Sequence, residues 1–255
     1  MAEEWLENNV NNRSLSMVLV KQYARDMEQG NWKLVGDPVR FSPDGNLIDG
    51  QKRLAAIVLS GTTQRFVVAR NVPEEDRLIM DSGQKRSAAH SMQMQGLKDA
   101  NAIAGMVRLL LQWQQGLLLE RVTFSNQELQ SFVETFEPDL YTAVSLGHQA
   151  RSTMYARVPV AGAVYFRAVH HFGADFTEDF YQKLISGEEI PSGSPIGAFR
   201  RSVWRAKSEN LYMPRNTELF YNIRALNAVA KGEKLVKMNL PRGDWRIEHF
   251  DFVTT

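Results

Sequence analysis

Leu15, Val18, Leu19, Tyr23 and Met27 recur at helical spacing, with Ser14 or Ser16 before them as a cap and Gly30 after them as a stop. Asp37-Pro38 then breaks the chain ahead of Val39-Arg40-Phe41, a short strand. Pro43-Asp44-Gly45-Asn46 predicts a tight hairpin turn, because Asp-Gly readily supplies positive φ angles, and Leu47-Ile48 is the returning strand. The period becomes helical again from Gln51 to Leu59 (Leu54, Ala55, Ile57, Val58), closed by Gly61, and Arg65 to Val72 reads as another strand. The order helix, hairpin, helix, strand predicts a compact α+β unit.

Past about Gly96 the character changes and helical patterns predominate. Ile103, Met106, Val107, Leu110, Leu111, Leu117 and Leu118 trace one or two helices, and Thr123 to Phe136 is a helix entered through Ser125-Asn126. Helices are expected over Val158–Phe172, Phe176–Ile185, Ile196–Lys207 and Thr217–Ala230, with Ser186–Pro195 as a loop and no clear period after Gly232. Thr123–Ala143 holds pieces of helix-turn-helix length but no basic recognition helix. The expected fold class is α+β: a small α+β domain over residues 1–97, then a mainly α-helical domain over 98–255 with a basic C-terminal part.

Composition narrows the chemistry. The 255 residues are 44% hydrophobic and 23% charged, which suits a globular core. The absence of cysteine excludes disulfides, thiolate metal sites and cysteine nucleophiles. Met1-Ala2-Glu3-Glu4-Trp5 lacks the basic and apolar regions of a signal peptide, and no apolar run reaches the ~20 residues of a membrane span. A cytoplasmic, membrane-free protein is the expectation. The five histidines show no ligand spacing, so no protein-only metal site is expected. Net charge is only +1, yet residues 190–255 hold 11 basic and 6 acidic side chains. Arg200, Arg201, Arg205 and Lys207 cluster around Trp204 there and are the candidate nucleic-acid contacts, although a solvated helix face looks the same.

The strand followed by Asp49-Gly50-Gln51-Lys52-Arg53 and a helix has the chemistry of an anion site. A helix start offers unpaired N–H groups and partial positive charge, Gly50 permits close backbone approach, and Lys52 and Arg53 add charge. Asp49 can orient the arginine or hold a metal that bridges phosphates, whereas Gln51 can hydrogen-bond but not act as a base. A turn glycine beside solvated basic residues is the alternative. Gly45-x4-Gly50 has Walker A glycine spacing, but Gln51 stands where that loop needs lysine. A second run, Met80-Asp81-Ser82-Gly83-Gln84-Lys85-Arg86, repeats the order of acid, glycine and Gln-Lys-Arg.

Read together, Asn11-Asn12-Arg13, a helix, Gly30, Pro38-Val39-Arg40, Asp44-Gly45, Asp49-Gly50-Gln51-Lys52-Arg53-Leu54-Ala55-Ala56, Gly61 and Phe66-Val67-Val68 resemble the ParB N-terminal domain of the ParB/sulfiredoxin superfamily. The core run is similar to the Asp-Gly-Gln-His-Arg variant of phage and DNA-modification-linked members. The resemblance covers about residues 10–90. It implies phosphate or nucleotide binding by Arg13, Gly50, Gln51, Lys52 and Arg53, with Asp81 and Arg86 as a second wall and Ser82 and Gly83 as another small anion-binding turn. It also implies a DNA-associated role in a phage or mobile element. Gln51 replaces the acidic residue of ParB and the cysteine of sulfiredoxin, which removes sulfiredoxin chemistry. An NTP-dependent phosphotransferase with Asp49 or Asp81 on Mg²⁺ is one alternative, and a degenerate domain kept for protein contact is another. The implied cofactor is an NTP with Mg²⁺; the implied partners are a nucleotide and DNA, and a homodimer is compatible with the reading.

Overall fold

The computed structural model describes residues 1–10, 12, 14–34, 36–74, 88–94 and 96–253. It is mainly helical with one small sheet, and the chain separates into two compact units, residues 1–91 with 121–130 and residues 92–120 with 131–255. The sequence boundary at residue 97 thus falls just past the first crossing. Residues 121–130, read with the helical part, are counted with the first unit.

The first unit begins with a short helix, α1 (Ala2–Glu7), then α2 (Met17–Glu28), which Gly30 terminates at φ 71°. Strand β1 (Val39–Phe41) pairs antiparallel with β2 (Leu47–Asp49) through the Asp44-Gly45 turn, where Gly45 has φ 82° and Ser42 N–H donates to the Asn46 carbonyl. Helix α3 (Gln51–Ser60) follows directly, and β3 (Val68–Ala69) pairs parallel with β1, giving the sheet order β2-β1-β3. The strand expected over Arg65–Val72 contracts to these two residues, although Val39 N–H still donates to Val67 and Val72 N–H to Phe41. Two apolar clusters hold the unit. Val20, Ala24, Met27 and Ala56 gather Tyr23, Trp32 and Phe66, while Val39, Phe41, Leu47 and Leu54 gather Trp5 and Leu6.

A polar network fastens residues 121–130 within this unit. Arg25 donates to the Thr123 carbonyl and to Glu128, the Thr123 hydroxyl donates to Gln22, and Ser125 Oγ donates to Asp26 at 2.7 Å. Ser125 and Glu128 cap one another: Glu128 N–H donates to Ser125 Oγ and Ser125 N–H to Glu128 Oε2, the reciprocal bonds expected of a Ser-x-x-Glu helix start.

Helix α4 (Ala88–Met94) leads to α5 (Ala100–Gln114). Helix α6 (Asn126–Met154) runs past the expected end at Phe136. Its only non-helical dihedrals are at Phe136 (φ −126°, ψ 18°), and Pro138 two residues later opens the next helical stretch, where a missing N–H does little harm. A helical kink therefore stands where a helix-turn-helix pair was considered. In the second unit, α7 (Val158–Phe172) is apolar on most sides and buried from Val158 to Ala168 except at Pro159 and Arg167. It packs against α5, and a Cβ at Gly162 would lie 2.7 Å from Met106 Sδ and 3.0 Å from the Ala143 carbonyl, so only glycine allows that approach. Helices α8 (Ala174–Ser186), α9 (Pro195–Ser208) and α10 (Arg215–Ala230) complete the unit close to their expected bounds. The aperiodic tail forms a 3₁₀ turn, Ile247–Phe250, whose Phe250 is fully buried, and Asn227 exchanges hydrogen bonds with the Asp251 carbonyl and the Val253 N–H. Among the described residues no helix is long and apolar enough to cross a membrane.

Candidate phosphate site and basic helix

Gly50 turns β2 directly into α3. It is the N-cap, with φ 108° and ψ 0°, and a Cβ there would meet Val39 Cγ2 at 3.1 Å and Cγ1 at 3.2 Å. The glycine thus satisfies both a left-handed turn and close packing on β1. No side chain caps α3, and its first helical hydrogen bonds run from Arg53 and Leu54 N–H to the Gly50 carbonyl. The start of the helix is rich in amide donors and carries no acidic residue in its first turn.

Asp49 and Arg53 form the frame beneath this turn. Arg53 Nη2 donates to Asp49 Oδ2 at 2.9 Å and to the Pro38 carbonyl at 2.9 Å, and Nη1 donates to the Asp37 carbonyl at 2.6 Å. Arg40 Nη1 donates to the same Asp49 Oδ2 at 2.7 Å. Arg40 stands across the hairpin from Asp49, so one carboxylate gathers two guanidinium groups and a cationic surplus remains around it. The sequence reading missed Arg40, although the Asp-Gly turn between the two strands makes a cross-strand partner for Asp49 traceable. Of the two roles weighed for Asp49, the contacts made are those of an arginine-orienting group. A Mg²⁺ ion at Oδ2 would compete with both arginines, so the carboxylate is ill suited as a metal ligand. Among the described residues no three or more His, Asp or Glu side chains converge.

Gln51 is buried, and its Oε1 accepts from Asn9 Nδ2 at 3.1 Å. Asn12 Nδ2 donates to the Leu47 carbonyl at 2.6 Å, and Leu47 N–H donates to the Asn8 carbonyl at 2.9 Å. The asparagine-rich segment therefore lies along β2 and reaches the first residue of α3. Lys52 is half-buried on the first turn. Arg13, Asp81, Ser82, Gly83 and Arg86 lie outside the described residues.

The basic residues of the second unit lie on α9. Arg200 Nη1 donates to the Leu184 and Ile185 carbonyls at the end of α8, a cation completing a helix C-terminus. Arg201 Nη2 donates to the Val236 carbonyl at 3.0 Å. Arg205 Nε contacts both Glu209 carboxylate oxygens, and the Lys207 ammonium lies 5.3 Å from the centre of the Tyr155 ring. Arg200 and Arg201 thus also support the fold. No protein family, no curated protein and no solved structure matches the chain.

Proposed function

We propose that the first unit is a ParB/sulfiredoxin-like module that binds the phosphates of a nucleotide or nucleic acid at the β2–Gly50–α3 junction, and that the basic helix α9 contacts DNA. A DNA-associated role in a phage or mobile element accords with the resemblance. The observation that carries the first part is the meeting of two sequence boxes: Asn12 of the Asn-Asn-Arg box bonds to β2, and Asn9 just before the box bonds to Gln51. Arg13 belongs to that same box and is the residue this reading assigns to the phosphates. Lys52 and the amides of the first turn of α3 supply the remaining positive character.

Binding is favoured over phosphoryl transfer. Of the two carboxylates that a kinase could place on Mg²⁺, Asp49 accepts instead from Arg40 and Arg53, and Asp81 lies outside the described residues; Gln51 has no basic function. Any magnesium would enter with the nucleotide. Arg53 acts as a strut that positions the turn, while Lys52 is free to serve as the ligand's cation.

Thermal unfolding in the presence of CTP, ATP, GTP or UTP, with and without Mg²⁺, tests the proposal. At a hundredfold excess over Kd a ligand adds ~2.7 kcal/mol, so a rise of several degrees is expected with at least one nucleotide. Lys52→Ala should abolish the rise without lowering the unliganded Tm. No rise with any nucleotide or oligonucleotide would return the unit to the protein-contact alternative.

A further inference from the structure

Helix α9 contains four cations and no carboxylate, and its Trp204 is 53% exposed. The ring of Tyr155, 52% exposed, meets Trp204 edge to face with centroids 6.3 Å apart. Lys207 stands over the Tyr155 ring, and Arg151, one turn before Tyr155, is exposed, as is Arg205 beside Trp204. Glu209 offsets Arg205 alone.

Tyr155 is also conformationally unusual. It follows the end of α6 with φ 60°, its N–H donating to the Arg151 carbonyl. That is the left-handed position which glycine normally fills at a helix end, and a bulky aromatic is an outlier there. Such outliers concentrate at functional sites. The backbone here holds a large ring outward beside a second one, with the Lys207 ammonium over the first.

Single exposed aromatics require no explanation, but this combination has a specific complement. The bases of a single strand present flat π faces that stack on Trp and Tyr, and the connecting phosphates seek Lys and Arg. A duplex keeps its bases stacked on each other and offers such a surface only its phosphates. We infer that Tyr155 and Trp204 form a stacking platform for the bases of a single-stranded nucleic acid, with Arg151, Arg205 and Lys207 meeting its phosphates. The inference rests on the nucleic-acid reading of α9 and not on the β2–Gly50–α3 junction.

Fluorescence anisotropy of the full chain with a labelled oligothymidylate, and with a duplex of equal length, tests it. Replacing both rings (Tyr155→Ala with Trp204→Ala) should weaken single-strand binding roughly tenfold or more and leave duplex binding within about twofold. Tyr155→Phe with Trp204→Phe, which keeps two π faces, should retain most of the affinity. Arg205→Gln with Lys207→Gln should flatten the salt dependence for both ligands. If neutralising the cations weakens binding but removing the rings does not, α9 contacts nucleic acid and the stacking inference is overturned. Binding of neither ligand by the unaltered protein overturns the inference and the reading beneath it together. A change in sedimentation mass on ring removal, with single-strand affinity intact, assigns the rings to a second copy and also overturns it.

Discussion

Asp26 is the titrating link in the network that fastens residues 121–130, and its behaviour can be worked through. The side chain is 7% exposed and takes a hydrogen bond from Ser125. Burial, offset in part by that hydrogen bond and opposed by Arg25 but aided by Glu128, pushes its pKa from 3.8 up to about 6. A carboxyl group with a raised folded-state pKa holds its proton more tightly in the native form. Its contribution is fully present below pH 3.8 and is lost as pH rises to about 6. At about 1.4 kcal/mol per tenfold change in proton affinity, the loss amounts to roughly 3 kcal/mol at neutral pH. Asp26→Asn keeps an oxygen to accept the Ser125 hydroxyl and has no charge to bury. The variant should match the unaltered protein near pH 4 and exceed it by up to roughly 3 kcal/mol at pH 7. Amide hydrogen exchange along α2, expressed as protection factors at each pH, reads the opening free energy of this unit without reference to the other. A stability difference that does not change between pH 4 and pH 7 would refute the assignment of Asp26 as a buried, desolvated acid.

Other outcomes follow from single contacts. Gly50→Ala places a Cβ against Val39 at an unfavourable φ, and should cost about 1–2 kcal/mol in urea unfolding even without ligand. Tyr155→Gly should be more stable than Tyr155→Ala by about 1 kcal/mol, because only glycine relieves the left-handed backbone; equal Tm values would contradict this. Arg157→Met strands Glu218, which accepts from the Arg157 backbone and guanidinium and whose pKa burial raises. The expected loss is about 3–5 kcal/mol at neutral pH, smaller in acid where Glu218 can take a proton, as denaturant midpoints at the two pH values would show.

Much of the helical order was legible because each helix carries its own period and punctuation. Val158–Phe172 ends at Gly173, and Gln51 to Gly61 is bounded by glycines at both ends. Elements defined by distant partners were not. β3 is a regular strand only where Val68 and Ala69 pair with β1, while Val67 and Val72 on either side make single hydrogen bonds to Val39 and Phe41. Residues 121–130 depend on Gln22, Arg25 and Asp26, about 100 residues away in sequence, and nothing local signals that attachment. The helix expected to end at Phe136 continues beyond it, because Pro138 occupies the one kind of helical position where its missing N–H is tolerated. At the candidate site, the run from Asp49 to Arg53 was visible as chemistry, but the division of labour within it was not. Which arginine braces the turn depends on the carbonyls of Asp37 and Pro38 and on Arg40 across the hairpin. Gln51, expected at the phosphates, is buried and accepts from Asn9, a partner 42 residues away that nothing local signals.

Amide chemical shifts recorded during nucleotide titration test the central claim most directly. The account predicts saturable shifts of the Gly50, Gln51 and Lys52 amides, weakened in parallel by Lys52→Ala. Saturable binding that leaves those three amides unmoved, or no binding at all, would contradict it.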